Sequence, residues 1–93
     1  MNLNLENKKA FVCGSTQGIG NAIAIELSEL GVEVVLIARS EEKLKATLAE
    51  LSTSKGQKHD YISADFSHPN ILKEKVENWV KQNGTVHILI NNT

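Results

Sequence analysis

Apolar residues along this chain of 93 residues form short continuous runs that alternate with longer segments of helical spacing. The apolar runs at 10–13, 32–38 and 86–90, together with the loosely alternating segment 58–64, predict four β-strands. The second run is rich in branched side chains, which is typical of a strand that is covered on both faces. Strands that alternate with helices in this way predict the α/β class.

The segment 19–30, between the first two strands, is predicted to be an α-helix. Its apolar residues recur three or four positions apart and are Ile19, Ala22, Ile23, Leu27 and Leu30. Gly31 follows directly, and a glycine at this point predicts a left-handed cap that ends the helix.

Capping residues predict two further helices. Ser40 is the expected cap of the second helix, and Ser67 with Pro69 is expected to open the third. Acidic residues directly after Ser40 suit the positive end of a helix. The residues expected to face inward are Leu44, Leu48 and Leu51 in the second helix and Leu72, Val76, Trp79 and Val80 in the third.

Three successive strand–helix–strand units predict a doubly wound parallel sheet with right-handed crossovers. The expected strand order is 3-2-1-4, with the first two helices on one face and the third on the other. The reversal between the first and fourth strands opens a crevice at their carboxyl ends, which is where ligands bind in this architecture.

Composition narrows the class of protein. Hydrophobic residues make up 41% of the chain and aromatic residues only 4%, so aliphatic side chains must form the core of one small domain. A net charge of −1 gives no basis for nucleic acid or an anionic membrane as a partner. The apolar run 34–38 is too short to span a bilayer, and residues 1–9 do not resemble a signal peptide. The single Cys13 excludes an intramolecular disulfide and fits a cytoplasmic location.

A glycine-rich turn joins the first strand to the first helix. Its spacing is G-x-x-x-G-x-G, which differs both from G-x-G-x-x-G and from a Walker loop. Glycines at a strand–helix junction let backbone N–H groups approach a phosphate at the positive end of the helix. A turn needed only for close packing is the less favoured interpretation. The candidate residues are Gly14, Ser15, Thr16, Gln17, Gly18, Ile19 and Gly20.

The end of the second strand indicates which phosphate-bearing ligand is bound. Dinucleotide folds place an acid there for the ribose hydroxyls, or an arginine nearby for a 2′-phosphate. This chain has Arg39 and Ser40 there, and the arginine offers a charged fork suited to phosphate. The pattern predicts NADP(H) over NAD(H), although a solvated arginine at a strand end is the simpler alternative.

The ends of the third and fourth strands carry further candidates. Asp65, followed by Phe66, either accepts a hydrogen bond from an adenine amino group or stabilises its own turn, and the two alternatives remain open. Asn91 and Asn92 either meet the adenosine side of a nucleotide or form an ordinary polar strand end. The three histidines lack the spacing of metal ligands, so no metal site is expected. Cys13 and Trp79 are interpreted as core residues.

Taken together, the segment 13–20, Arg39, Asp65 and the segment 89–93 resemble the N-terminal part of a short-chain dehydrogenase/reductase. The resemblance covers nearly the whole chain and is nearest to bacterial 3-oxoacyl-acyl-carrier-protein reductases. It implies a Rossmann-type fold and hydride transfer between a nicotinamide coenzyme and a carbonyl or alcohol. It also implies that Asp65 touches adenine, that Asn91 approaches the adenosine ribose, and that the complete enzyme is a dimer or tetramer.

The sequence departs from the family pattern in three respects. Cys13 stands where the family usually has threonine, and Thr93 stands where it has alanine. The family's catalytic serine and Tyr-x-x-x-Lys group are not found, because the lone Tyr61 lies in the third predicted strand. Residues 1–93 are therefore expected to be an incomplete NADP-binding portion that is inactive alone.

Two other functions are kept as alternatives. One is a short, non-catalytic nucleotide-binding protein or remnant. The other is an S-adenosylmethionine-dependent methyltransferase, which would normally need an acid where Arg39 stands. The apolar fourth strand would lie at an unprotected sheet edge, so the isolated chain is expected to aggregate, self-associate or remain partly unfolded.

Overall fold

A computed structural model describes residues 7–14 and 18–91, and within these residues four strands alternate with three helices. The strands are β1 (Lys9–Cys13), β2 (Glu33–Ala38), β3 (Asp60–Ser63) and β4 (Ile88–Asn91). The helices are α1 (Gly18–Glu29), α2 (Glu41–Leu48) and α3 (Pro69–Asn83). None of the helices in the described residues has the length and apolar character to cross a bilayer.

All strand pairs are parallel, and the order β3-β2-β1-β4 confirms the predicted topology. Phe11 in the middle of β1 lies opposite Val35 of β2 and Leu89 of β4. At the end of β1, Cys13 lies opposite Ile37 and Asn91. The carboxyl ends of the strands therefore share one edge of the sheet.

The two faces of the sheet are covered by different helices, as predicted. Ala24 of α1 and Leu44 of α2 pack with Val12 and Leu36 in one apolar cluster. The opposite cluster contains the β1 residue Phe11, against which side chains of α3 pack. The predicted inward residues of α3 do pack against this cluster, but they are only partly buried.

The buried stripe of α1 differs from the one its apolar spacing suggests. The buried residues are Gly20, Ala24 and Ser28, whereas Ile19 is 71% exposed and Leu30 is 38% exposed. Small residues let the helix approach the sheet closely. The hydroxyl of Ser28 is satisfied inside, because it donates to the carbonyl of Ile25 at 2.6 Å. The periodicity thus identified the helix but not its buried face.

Most predicted helix ends are confirmed. Gly31 has a φ of +96°, and Ser40 caps α2 by accepting the N–H of Lys43 at 3.3 Å. The prediction that Ser67 opens α3 is wrong. His68 occupies the cap position without a side-chain bond, and Ser67 bonds the carboxylate of the preceding turn instead.

Trp79 has the structural role that was predicted. Its indole N–H donates to Oδ2 of Asp60 at 2.7 Å, and its ring meets Phe11 edge to face with centroids 5.3 Å apart. The ammonium group of Lys9 lies 5.8 Å from the indole centroid. These contacts join α3 to the amino-terminal part of the sheet.

Two histidines complete the hydrogen bonding at the amino ends of the strands. Nδ1 of His59 accepts the N–H of Val34 at 2.9 Å, and Nδ1 of His87 accepts the N–H of Lys9 at 3.1 Å. Each ring nitrogen occupies the position where a neighbouring strand would supply a carbonyl. These residues therefore extend the sheet at the edge opposite the predicted crevice.

The outer edges of the sheet differ. On β3, the outward N–H of Tyr61 bonds Oδ1 of Asp60 at 2.8 Å, and the outward carbonyl of Ser63 accepts Lys75 Nζ at 2.5 Å. On β4, Leu89 is 67% exposed. It lies on the same face of the sheet as its neighbour Phe11, which is the face that α3 packs against. Charged side chains block further strand pairing at the β3 edge, whereas β4 presents an apolar surface.

We expect the 93-residue chain to self-associate through β4, and Leu89→Lys to shift it strongly toward monomer in analytical ultracentrifugation. A charge on an edge strand opposes apolar contact between copies. Ala46→Lys adds the same charge at an exposed position of α2 and should leave the association unchanged. A wild-type chain that sediments as a monodisperse monomer and melts cooperatively would contradict the prediction.

Candidate functional site

The turn between β1 and α1 has the backbone that a phosphate-binding turn requires. Gly14 and Gly18 have φ values of +72° and +59°, and the N–H of Gly14 still donates to β2 at 2.8 Å. A left-handed conformation at both ends favours glycine over residues with a Cβ. Ser15, Thr16 and Gln17 lie outside the described residues, so their predicted role in binding stays a prediction.

The electrostatics of α1 suit an anion. Its first turn carries no acidic residue, so no carboxylate of that turn compensates the partial positive charge of the N-terminus. A Cβ on Gly18 would meet no atom of the described residues within 4 Å, so these residues leave the space in front of this backbone open. By contrast, α2 begins with Glu41 and Glu42, which neutralise its positive end.

Arg39 and Ser40 follow the end of β2, as predicted. Arg39 is exposed, and its carbonyl oxygen accepts the hydroxyl of Ser63 at 3.0 Å. The oxygen of Ser40 accepts a backbone N–H as the cap of α2. The hydroxyl proton of Ser40 is a separate donor, so capping leaves this residue able to bond a phosphate oxygen.

Asp65 stabilises its own turn, which is one of the two predicted roles. Its Oδ1 accepts both the N–H of Ser67 at 2.9 Å and the Ser67 hydroxyl at 2.7 Å. These two bonds hold the pKa of the Asp65 carboxyl below 3.8, and the positive charges of Arg39 and His68 lower it further. Phe66, which lies between Asp65 and Ser67 in the chain, is 36% exposed. The predicted contact of Asp65 with adenine remains a prediction.

The end of β4 places Asn91 beside β1. Asn91 is exposed and lies opposite Cys13, while Asn92 and Thr93 are outside the described residues.

Burial raises the pKa of the Cys13 thiol, which keeps it protonated and fits the prediction of an unreactive residue. Within residues 7–14 and 18–91, no cluster of three or more potential metal ligands is present.

The parallel strands bring the predicted site residues to one edge. Gly14 and Arg39 directly follow β1 and β2, Asp65 lies two residues after β3, and Asn91 ends β4. The charge of Arg39 acts on the carboxylate of Asp65, although 26 positions separate the two residues in the chain. A glycine turn, a cation, an acid and an amide therefore share the edge where nucleotides bind in this architecture.

Asn21, which the sequence did not single out, belongs with this group. It lies in the first turn of α1, and its Oδ1 is buried without a hydrogen-bond partner among residues 7–14 and 18–91. A buried acceptor without a partner is costly, and rotating the amide would present a donor instead. A lone amide within the apolar segment 19–25 is the only signal that could have identified it.

A model of the short chain dehydrogenase family matches residues 8–93. The chain belongs to the short-chain dehydrogenase family. Over 83 residues it is 41% identical to hydroxysteroid dehydrogenase-like protein 1 of Gallus gallus, covering 89% of this chain and 25% of that protein. Over 87 residues it is 37% identical to a 3-oxoacyl-[acyl-carrier-protein] reductase of Staphylococcus epidermidis, covering 92% and 35% respectively.

Solved structures agree with this assignment. L-Sorbose reductase from Gluconobacter frateurii, complexed with NADPH and L-sorbose, superposes with a TM-score of 0.87 at 30% identity, over 100% of this chain and 35% of that one. A metagenomic short-chain oxidoreductase in complex with NADP gives 0.87 at 34% identity, over 98% and 41%. The chain thus spans between 25% and 41% of the length of these relatives.

We expect Ser67→Ala to raise the pKa of Asp65 part of the way toward 3.8, because the hydroxyl is lost while the backbone N–H remains. In the wild type, Asp65 contributes stability above about pH 3.8, and this is lost as the pH falls through its lower folded pKa. NMR titration of the side-chain carboxyl measures the pKa. Ser54→Ala, in the loop after α2, is the control, and an Asp65 pKa unchanged by Ser67→Ala would contradict the assigned bond.

Proposed function

We propose that this chain is the coenzyme-binding part of an NADP(H)-dependent short-chain oxidoreductase. The observation that carries the proposal is the glycine turn at the uncompensated N-terminus of α1, next to Arg39 at the end of β2. A bound nicotinamide coenzyme supplies or accepts the hydride that converts a carbonyl to an alcohol or the reverse.

Each residue at this edge binds a different part of the proposed coenzyme. Backbone N–H groups of the turn at 14–20 hold the pyrophosphate, and Arg39 with Ser40 holds the 2′-phosphate. Asp65 accepts the adenine amino group, for which Oδ2 is suited because Ser67 occupies Oδ1. Asn91 approaches the adenosine ribose. The coenzymes named with two of the related structures, NADPH and NADP, support a 2′-phosphorylated ligand here.

The substrate and the proton transfer lie outside this set of residues. Tyr61 sits in β3, and its hydroxyl donates to Glu41 at 2.8 Å, so it is not placed to act on a substrate. We therefore assign binding and orientation of the coenzyme to this chain. Reduction of a small carbonyl compound, assembly into dimers or tetramers and a cytoplasmic location are proposed for the whole protein.

We expect Arg39→Ala to weaken NADPH binding by roughly tenfold to a hundredfold, which corresponds to a lost charge-assisted hydrogen bond. NADH lacks the 2′-phosphate, so its affinity should change little and serves as the internal control. Isothermal titration of the wild type and the variant with NADPH, NADH and S-adenosylmethionine gives the comparison. A wild type that does not prefer NADPH, or that binds S-adenosylmethionine best, would overturn the proposal.

Gly18→Ala and Gly56→Ala form a matched pair. Both glycines have positive φ values, +59° and +77°, and a Cβ at either one would meet nothing within 4 Å in the described part of the chain. Each substitution should therefore cost a similar backbone strain of about 1–2 kcal/mol in unfolding free energy. Only Gly18→Ala should weaken NADPH binding, because Gly56 lies in the loop between α2 and β3. Equal effects on binding would show that Gly18 serves folding alone.

A further inference from the structure

The corner between β2 and α2 is held in place by side chains of β3. The hydroxyl of Ser63 donates to the carbonyl of Arg39 at 3.0 Å, and the hydroxyl of Tyr61 donates to Oε1 of Glu41 at 2.8 Å. Ser63 is itself fixed, because its carbonyl accepts the ammonium group of Lys75 from α3. None of these hydrogen bonds could be predicted from the glycine turn or from the residues at the strand ends.

The position of Glu41 matters because it lies two residues after Arg39. A carboxylate close to the ribose favours a free 2′-hydroxyl, and the same carboxylate repels a 2′-phosphate. The side chain of Glu41 is 59% exposed, and its carboxylate is bound by Tyr61 and by Lys45 at 3.6 Å. Without the bond to Tyr61, its rotamers would include ones that approach the arginine.

We propose that Tyr61 and Ser63 are positioning residues that set the preference of this corner for a 2′-phosphorylated coenzyme. Ser63 fixes the backbone from which the guanidinium of Arg39 extends. Tyr61 keeps the Glu41 carboxylate on the β3 side of the corner. This inference rests on the proposed function, because it presupposes that Arg39 meets the 2′-phosphate.

The ionisation of Glu41 agrees with this geometry. The hydroxyl of Tyr61, followed by the charge of Lys45, holds the pKa of the Glu41 carboxyl below 4.5. The same bond raises the pKa of the Tyr61 phenol above 10.0. Near neutral pH the phenol therefore stays a donor and the carboxylate stays charged, so the effect of Glu41 depends on where it points.

The test measures the ratio of NADPH affinity to NADH affinity in variants of the chain. Tyr61→Phe should lower this ratio roughly threefold to tenfold, the size of one hydrogen bond. Adding Glu41→Gln to Tyr61→Phe should restore the ratio, because the repelling charge is gone. Ser63→Ala should lower the ratio by a similar factor, and Ser63→Thr, which keeps the hydroxyl, should not.

Glu77→Gln is the matched control. Glu77 is 57% exposed and pairs with Lys73 at 3.9 Å four residues earlier, much as Glu41 pairs with Lys45. It lies on α3, so its substitution should leave the ratio unchanged. A second readout is independent of coenzyme: in Tyr61→Phe the pKa of Glu41 should rise toward 4.5 by NMR titration.

The outcomes separate this inference from the function on which it rests. A wild type that binds NADPH and NADH equally overturns the assignment of Arg39, and with it this inference. A wild type that prefers NADPH, with a preference unchanged in Tyr61→Phe and Ser63→Ala, overturns the positioning role alone. A loss of preference in Tyr61→Phe that Glu41→Gln does not restore would also overturn the role given to the carboxylate.

Discussion

The parallel pairing of β1 with β2 on one side and β4 on the other is the constraint on which the rest of the structure depends. Ala10 and Val12 of β1 are completely buried, so this strand cannot shift its register without exposing apolar side chains. The register in turn places the residues after each strand at one edge. Gly14, Arg39 and Asp65 therefore lie at the same edge because of backbone pairing and packing.

The four borders of the sheet have different chemistry. At the amino ends, His59 and His87 accept backbone N–H groups that no neighbouring strand binds. At the outer edge of β3, Asp60 and Lys75 bind the outward backbone groups. The carboxyl edge and the border of β4, with its exposed Leu89, present groups for interaction. Side-chain hydrogen bonds to the backbone of the sheet are thus found at the amino ends and at the outer edge of β3.

The elements and their order could be predicted because apolar runs and capping residues are local signals. The strand order followed from chain connectivity, and the glycine turn and Arg39 followed from spacing. The buried face of α1 could not be predicted, since Gly20 and Ser28 are buried for their small size and for a hydrogen bond, not for hydrophobicity. The contacts of Tyr61 and Ser63 with the corner between β2 and α2 depend on the register of β3 against β2, which no local pattern encodes.

The helix N-termini at the carboxyl edge explain why the proposed binding of NADP(H) needs a cation as well as a glycine turn. At α1 the dipole is uncompensated, so backbone groups alone can hold an anion there. At α2 the dipole is already balanced by Glu41 and Glu42, which stabilise the helix but leave no attraction for a second phosphate. In the proposed function, Arg39, which directly precedes the cap of α2, supplies that attraction. On this proposal, the contribution of Arg39 depends on where the Glu41 carboxylate points, so Glu41 stabilises α2 without opposing a 2′-phosphate only while Tyr61 of β3 holds it.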